Sequence, residues 1–211
     1  MSKYLSEMAE TGYAPDTISD YHYTMIPWLL KQHGVDLDAR IADFGSGSGH
    51  ILIPMADAGW KNLVAVDIHE LQFQLFRETY GSEAVLWDAN EPGLDLADAS
   101  VQAITCFHLI EHLKNGDHLL AEAFRILKPG GTLFLATPDW NKCVRTFYND
   151  PTHIRPYTKN SIARLLRMYG FDPSVYSWNS RYGLGRLKLY RWWPRTAMIG
   201  VEMLAVAKKP L

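Results

Sequence analysis

Arg40-Ile41-Ala42-Asp43-Phe44-Gly45-Ser46-Gly47-Ser48-Gly49 is the stretch on which the reading of this chain turns. Arg40 to Phe44 reads as a short buried strand with an acidic residue near its end. The glycines that follow let the backbone turn sharply and approach a ligand with no Cβ in the way. A helix is expected next, from about Gly49 to Ala58. Strand, glycine loop and helix in this order place the loop at the C-terminal edge of a parallel sheet, where open α/β folds bind ligands. By itself, such a loop serves equally well as a plain strand-to-helix turn.

Working outward, strands and helices alternate, the sign of a parallel sheet covered on both faces. Strands are expected at Asn62 to Asp67, Ala84 to Trp87, Val101 to Phe107 and Thr132 to Thr137. Helices are expected from about His69 to Tyr80 and from Asp117 to Leu127. Lys128-Pro129-Gly130-Gly131 should close the second of these and reverse the chain. Pro138 to Tyr157 reads as loop, and Ser161 to Tyr169 as a helix with Ser161 a plausible cap. Asp172 to Ser177 and Ile199 to Lys208 read as the last strands, separated by an insertion from Asn179 to Thr196. An aromatic helical segment, Tyr21 to Lys31, is suited to cover one face of the sheet or the cleft.

The chain has 211 residues, 47% of them apolar, with a formal charge of −2. That suits one α/β domain over residues 1–211, with 1–39 as a helical cover, and not a disordered or disulfide-scaffold protein. The charge argues against a general nucleic-acid coat. Cys106 and Cys143 form no CxxC pair and read as buried thiols. Met1 to Glu10 lacks the apolar core of a secretory signal, so a cytoplasmic location is expected.

The glycine pattern is selective about its ligand. G-x-G-x-x-G fails, because His50 stands at the last position counted from Gly45, and no Gly-Lys-Ser/Thr is present to cradle a triphosphate. Asp43 could meet an ammonium group. Asp67, ending the second strand, can accept both hydroxyls of a ribose, or else cap the helix near His69. Asp88 could accept from an adenine amino group while Ala89 offers its amide, or it could be a solvent-facing turn residue. A ligand with adenosine and an amino acid but no phosphate fits this set.

These segments in series, with Phe107-His108-Leu109-Ile110-Glu111-His112-Leu113 and Leu127-Lys128-Pro129-Gly130-Gly131, resemble the class I S-adenosylmethionine-dependent methyltransferase family over about Arg40 to Thr137. The resemblance implies a doubly wound α/β domain whose seven-stranded, mostly parallel sheet has its last strand antiparallel. It implies S-adenosylmethionine as cofactor and S-adenosylhomocysteine as product. Asp43, Gly45, Ser46, Gly47 and Gly49 would hold the methionine moiety. Asp67 with the adjoining Ile68 would take the ribose, Asp88 and Ala89 the adenine, and His108 would line the cleft.

A sulfonium is already an activated methyl donor, so a protein mainly supplies alignment and, for a hydroxyl acceptor, a base. Histidine suits that task near neutral pH. His112 is one candidate. His153 is the other, in Asp150-Pro151-Thr152-His153-Ile154-Arg155-Pro156-Tyr157, which resembles loops of ubiquinone-biosynthesis and polysaccharide O-methyltransferases. Arg155 and Tyr157 would then meet the substrate. The alternative is a loop fixed by hydrogen bonds among Asp150, His153 and Arg155.

In the insertion, Arg181, Arg186, Lys188, Arg191 and Arg195 interleave with aromatic residues that include Trp192. Such a segment favours an anionic or lipid-linked small-molecule acceptor, with Arg186 and Trp192 as contacts, or peripheral contact with a membrane. A solvated lid packed on the sheet is the other reading. No metal is expected, since no second acidic cluster stands ready to chelate with Asp88. A nicotinamide-dependent reductase is disfavoured by the glycine spacing and by the lack of any Tyr-x-x-x-Lys. A non-catalytic cofactor-binding partner of another enzyme remains the alternative, and an RNA methyltransferase ranks third. The oligomeric state is left open.

Overall fold

A computed structural model of the chain describes residues 20–69, 77, 80–178 and 202–211. The first helix among the described residues, α1, is Asp20–Gln32, with Pro27 inside it. Strand β1 (Ile41–Phe44) follows, then α2 (Leu52–Asp57), β2 (Leu63–Asp67), β3 (Glu83–Leu86) and β4 (Val101–Phe107). Helix α3 (Asp117–Ile126), strand β5 (Leu127–Pro138), the helical turn α4 (Trp140–Cys143), helix α5 (Lys159–Met168), and strands β6 (Asp172–Trp178) and β7 (Glu202–Lys208) complete the order. Of the helix expected from His69 to Tyr80, Arg77 and Tyr80 are described past His69, and both are helical. The 179–196 insertion lies outside the described residues, with Arg186, Trp192 and the other insertion residues. Among the described residues no helix is long and apolar enough to cross a membrane.

The seven strands form one sheet in the order β3-β2-β1-β4-β5-β7-β6. β1 to β5 pair in parallel, and β7 runs antiparallel to both β5 and β6. This is the expected doubly wound fold. β1 and β2 are buried along their whole length, as strands covered on both faces must be. Alternate residues feed two cores, as a period of two requires. Phe44, Val66, Ile104 and Leu135 pack with Leu119 and Leu120 of α3 and Leu166 of α5. Ile41, Ala65, Ala103 and Phe134 pack with Ile26 and Leu30 of α1 and Leu52 of α2. Helix α1 therefore packs on one sheet face through Ile26 and Leu30.

The order of strands reverses between β1 and β4. β2 and β3 continue to one side of β1, while β4 and β5 lie on the other. The crevice at the carboxyl ends of β1 and β4 is the topological switch point, the usual ligand position in such sheets.

Local chemistry moved three boundaries. α2 starts at Leu52, because Gly45, Gly47 and Gly49 take φ of 73°, 48° and 87° and hold the loop open for longer. Lys128 to Gly131 does not reverse the chain. Leu127 already pairs with Val101, and these four residues bulge out inside β5 before Thr132 pairs with Ala103. A Cβ on Gly131 would meet the Lys128 carbonyl at 2.8 Å, so the bulge demands glycine. Finally, Thr158 caps α5, not Ser161. The Thr158 hydroxyl accepts from the Ser161 amide, and the Ser161 hydroxyl accepts from the Thr158 amide at 2.8 Å, a reciprocal capping box.

Candidate cofactor cleft and histidine pair

Asp43, at the end of β1, is 1% exposed. Its Oδ1 accepts a 2.6 Å hydrogen bond from the Thr105 hydroxyl of β4, while buried Oδ2 has no partner. Burial pushes this carboxyl up to about 7; the Thr105 bond opposes the rise and the charge of Asp67 adds to it. A buried carboxylate with one open oxygen is suited to a cation, which would restore its ionised form. The loop beside it is held by backbone bonds from Gly45 and Ser46 to the Val66 carbonyl at 2.8 and 3.2 Å. At Gly45, φ is positive and a Cβ would sit 3.2 Å from the Leu109 Cβ, so only glycine fits without displacement.

Asp67 ends β2 and does two jobs at once. Its Oδ2 accepts from the Gly47 amide at 2.8 Å, and Oδ1 accepts from the His69 amide at 3.1 Å. Each oxygen keeps a further lone pair for a ligand. Asp88 Oδ1 accepts from the amide and side chain of Asn90 at 2.9 and 3.0 Å, which fixes the turn after β3.

These elements surround an open cleft of about 550 Å³, part of it solvent. Gly45, Asp67, Ile68, Asp88 and Ala89 line it, as the sequence suggested. Asp43 and Ser46 are buried and are not in its wall; Gly47, Gly49 and His108 are not in it either. The wall also contains Val66, Trp87, Asn90, Leu109, His112 and Leu113. Sequence reasoning missed Trp87, Leu109 and Leu113 as lining residues, although each stands in a quoted motif. Trp87 is set against Phe44 edge to face at 5.3 Å and donates its indole N–H to the Glu91 carbonyl.

Residues 18–174 match the family model for a methyltransferase domain. The chain belongs to that methyltransferase domain family. A probable S-adenosylmethionine-dependent methyltransferase of Mycolicibacterium smegmatis is 29% identical over 136 residues, covering 63% of this chain and 51% of the relative. A ubiquinone biosynthesis O-methyltransferase of Cupriavidus pinatubonensis is 25% identical over 151 residues, covering 64% and 57%. The chain thus spans about half the length of the curated relatives it matches. In fold, it is similar to a chain from the complex between the Haloferax volcanii Trm112 methyltransferase activator and a putative methyltransferase. There the TM-score is 0.71 with 18% identity, covering 91% of this chain and 92% of the other.

The cofactor of this methyltransferase domain is S-adenosylmethionine, and the cleft suits it. Asp43 is buried outside the cleft wall with one unbonded oxygen, a group whose chemistry suits an ammonium; the Asp67 lone pairs match ribose hydroxyls, and the glycine loop offers no phosphate cradle.

The methyltransferase domain carries a second polar cluster beside that cleft. After β4, His108 sits at φ 57°, uncommon for a residue with a Cβ, and a single 3-10 turn spans Ile110–His112. Glu111 is fully buried. Its Oε2 accepts from the Thr137 hydroxyl at 2.9 Å, and Oε1 lies 3.3 Å from His108 Nδ1. Burial alone would raise this carboxyl. The hydrogen bond and charge of His108, a backbone bond and the charge of His112 outweigh it and leave Glu111 below its ordinary value. The Glu111 carbonyl also accepts from the amides of Ile154 and Arg155, both at 3.0 Å, and so pins the His153 loop beneath β4.

His112 and His153, distant in sequence, stack edge to face at 4.8 Å. His153 Nδ1 lies 2.8 Å from the Phe147 carbonyl. His112 Nδ1 faces the Thr152 hydroxyl at 2.9 Å and the Thr152 carbonyl at 3.2 Å. Carbonyls only accept, so both Nδ1 atoms carry hydrogen, and in the neutral ring Nε2 is the atom with the lone pair. The Thr152 hydroxyl donates to Asp150 at 2.6 Å, leaving its oxygen free to accept from His112.

The alternative network joining Asp150, His153 and Arg155 is thus realised differently. Asp150 holds Thr152 and stands 3.8 Å from His153 Nε2, while Arg155 donates to the Lys114 carbonyl at 3.0 Å from an exposed position. Tyr157 is 4% exposed, and burial pushes its phenol up to about 12. Among the described residues its hydroxyl has no hydrogen-bond partner. Glu111 is the residue that sequence reasoning undervalued. Its place in Glu111-His112 gave no sign that it anchors both the turn and the facing loop.

Proposed function

We propose that this chain transfers the methyl group of S-adenosylmethionine to a hydroxyl of a small-molecule acceptor, and that His153 receives the hydroxyl proton. The observation that carries the reading is the 2.8 Å contact of His153 Nδ1 with the Phe147 carbonyl. With Nδ1 bonded to the Phe147 carbonyl at 2.8 Å, Nε2 is a fixed acceptor, and Asp150 at 3.8 Å steadies the imidazolium that forms. The neighbouring ring of His112 lines the cofactor cleft, which supports an acceptor held between cleft and loop. The O-methyltransferase named among the relatives supports oxygen as the accepting atom.

Bound S-adenosylmethionine supplies an activated methyl carried by a sulfonium. The protein's part is to align the acceptor oxygen and to remove its proton. The cations of Arg181, Arg186, Lys188, Arg191 and Arg195 favour an acceptor that carries phosphate or carboxylate. A variant lacking 179–196 is expected to keep S-adenosylhomocysteine binding and to lose turnover of such acceptors.

The test is release of S-adenosylhomocysteine across a panel of phenolic, sugar and lipid-phosphate acceptors. On the acceptor that turns over, His153→Ala should lower kcat by about 10²- to 10⁴-fold with cofactor affinity unchanged. An unchanged kcat would remove His153 from the reaction.

A further inference from the structure

We propose that Glu111, His112 and His153 form a binding site for one divalent cation of the zinc class, beside the cofactor cleft. One donor atom from each of the three lies within 4.8 Å of the others. The inference deepens the methyl-transfer reading and rests on it for its role, though the site itself stands on geometry alone.

The donors have the right chemistry. Both imidazoles are fixed with hydrogen on Nδ1, by the Phe147 carbonyl for His153 and by Thr152 for His112. That is the support metal-ligating histidines ordinarily have: one ring nitrogen bonded to a carbonyl, the other left to bind. Glu111 supplies the anion. It is wholly buried without a lysine or arginine bonded to it among the described residues, and buried charges are paired or hold metals. Its carboxylate oxygens each keep a lone pair beyond the bonds from Thr137 and His108.

The scaffold has little slack. The Glu111 carbonyl holds the amides of Ile154 and Arg155, so the element carrying two donors is tied directly to the loop carrying the third. Zinc–nitrogen bonds of about 2.0–2.1 Å put tetrahedral donors about 3.4 Å apart. Donors that lie within 4.8 Å of one another therefore close by at most about 1.4 Å, through side-chain rotation and not backbone movement. His108 is 43% exposed on its side chain and can yield its long 3.3 Å contact with Glu111 as they do. Two imidazoles and one carboxylate favour zinc, cobalt or nickel over magnesium and calcium, which take oxygen donors. Three protein ligands leave a position open, the pattern of catalytic sites.

A cation there gives the second cluster a different use. Glu111, His112 and His153 would hold the cation, which would supply Lewis acidity to an acceptor hydroxyl. The proton would leave to solvent, and the oxygen would take the methyl while the S–CH₃ bond pair stays on sulfur. In the metal-free protein His153 takes the proton instead.

The experiment is calorimetric titration of the chelator-stripped full chain with zinc, and visible absorption after cobalt loading. One zinc per chain is expected, with the intense visible bands of low-coordinate cobalt. His112→Ala and His153→Ala should each weaken zinc by on the order of 100-fold or more. His118→Ala, a histidine outside the cluster, should leave it unchanged. Circular dichroism and a cooperative thermal transition verify that each variant is folded. Absent zinc binding in the wild type, or equal affinity in the His112 and His153 variants, would overturn the site. Turnover is read separately, so its loss with zinc binding intact would count against methyl transfer and not against the metal.

Discussion

Replacing Asp43 by asparagine removes a charge that the fold holds out of water. The carboxyl is raised to about 7 from 3.8, chiefly by burial. Between those values the native state holds a proton that the unfolded chain has released. Stability therefore falls as pH rises, the reverse of the usual surface aspartate. A carboxyl that titrates so much higher in the fold sets a ceiling of about 4 kcal/mol above pH 7, of which about 3 kcal/mol accrues between pH 4 and 7. Asparagine matches the protonated carboxyl in shape and still accepts from the Thr105 hydroxyl, so it carries no such penalty. Urea denaturation of both proteins without cofactor from pH 4 to 8 is the assay. The two should be nearly equal in stability at pH 4, and the variant should lead by about 3 kcal/mol at pH 7. S-adenosylhomocysteine should reverse the ranking, because its ammonium stabilises the Asp43 anion and has no counterpart for asparagine. A stability difference that stays flat over that range would refute the claim that Asp43 is a buried, uncompensated acid.

Three further substitutions probe the same frame. Thr105→Val deletes the 2.6 Å bond to Asp43 and should cost about 1.5–3 kcal/mol at pH 8, less at pH 4 where the acid is neutral, by urea denaturation. Gly45→Ala must hold an αL conformation and push on Leu109; thermal unfolding should show a loss of about 1–2 kcal/mol, and calorimetry weaker S-adenosylhomocysteine binding. Arg125→Met strips donors from the Leu94 and Leu96 carbonyls at 2.8 and 2.6 Å, far from the chemistry. It should cost about 1–3 kcal/mol in denaturation while leaving S-adenosylhomocysteine affinity at the wild-type value.

What could be read from the chain was what local sequence encodes. The strand ending in Asp43, the glycine loop, Asp67 and Asp88 are contiguous motifs, and the fold sets the loop and both later acids around one cleft at the switch point. A short apolar run likewise placed β4, since a strand buried on both faces is marked by its own local composition. The cap of α5 shows a finer limit. Thr158 and Ser161 both suit a helix start, and only the backbone geometry decides which one is outside the helix. The bulge at Lys128 to Gly131 was misread because proline and paired glycines signal a turn, whereas pairing with β4 and β7 keeps the segment in the sheet. The histidine pair was beyond reach. His112 and His153 were each visible as candidates, yet their contact depends on the Glu111 carbonyl gripping the loop, a long-range bond that no local pattern encodes.

The cofactor site is tested most directly by calorimetric binding of S-adenosylhomocysteine to the wild type and to Asp67→Ala. The account predicts saturable binding at one site per chain. It predicts a loss of about 100-fold in the variant, the worth of two hydrogen bonds to a charged acceptor, with the fold retained by circular dichroism. Equal affinity in the two proteins, or no binding by the wild type, would contradict it, and the glycine loop would then be a structural turn alone.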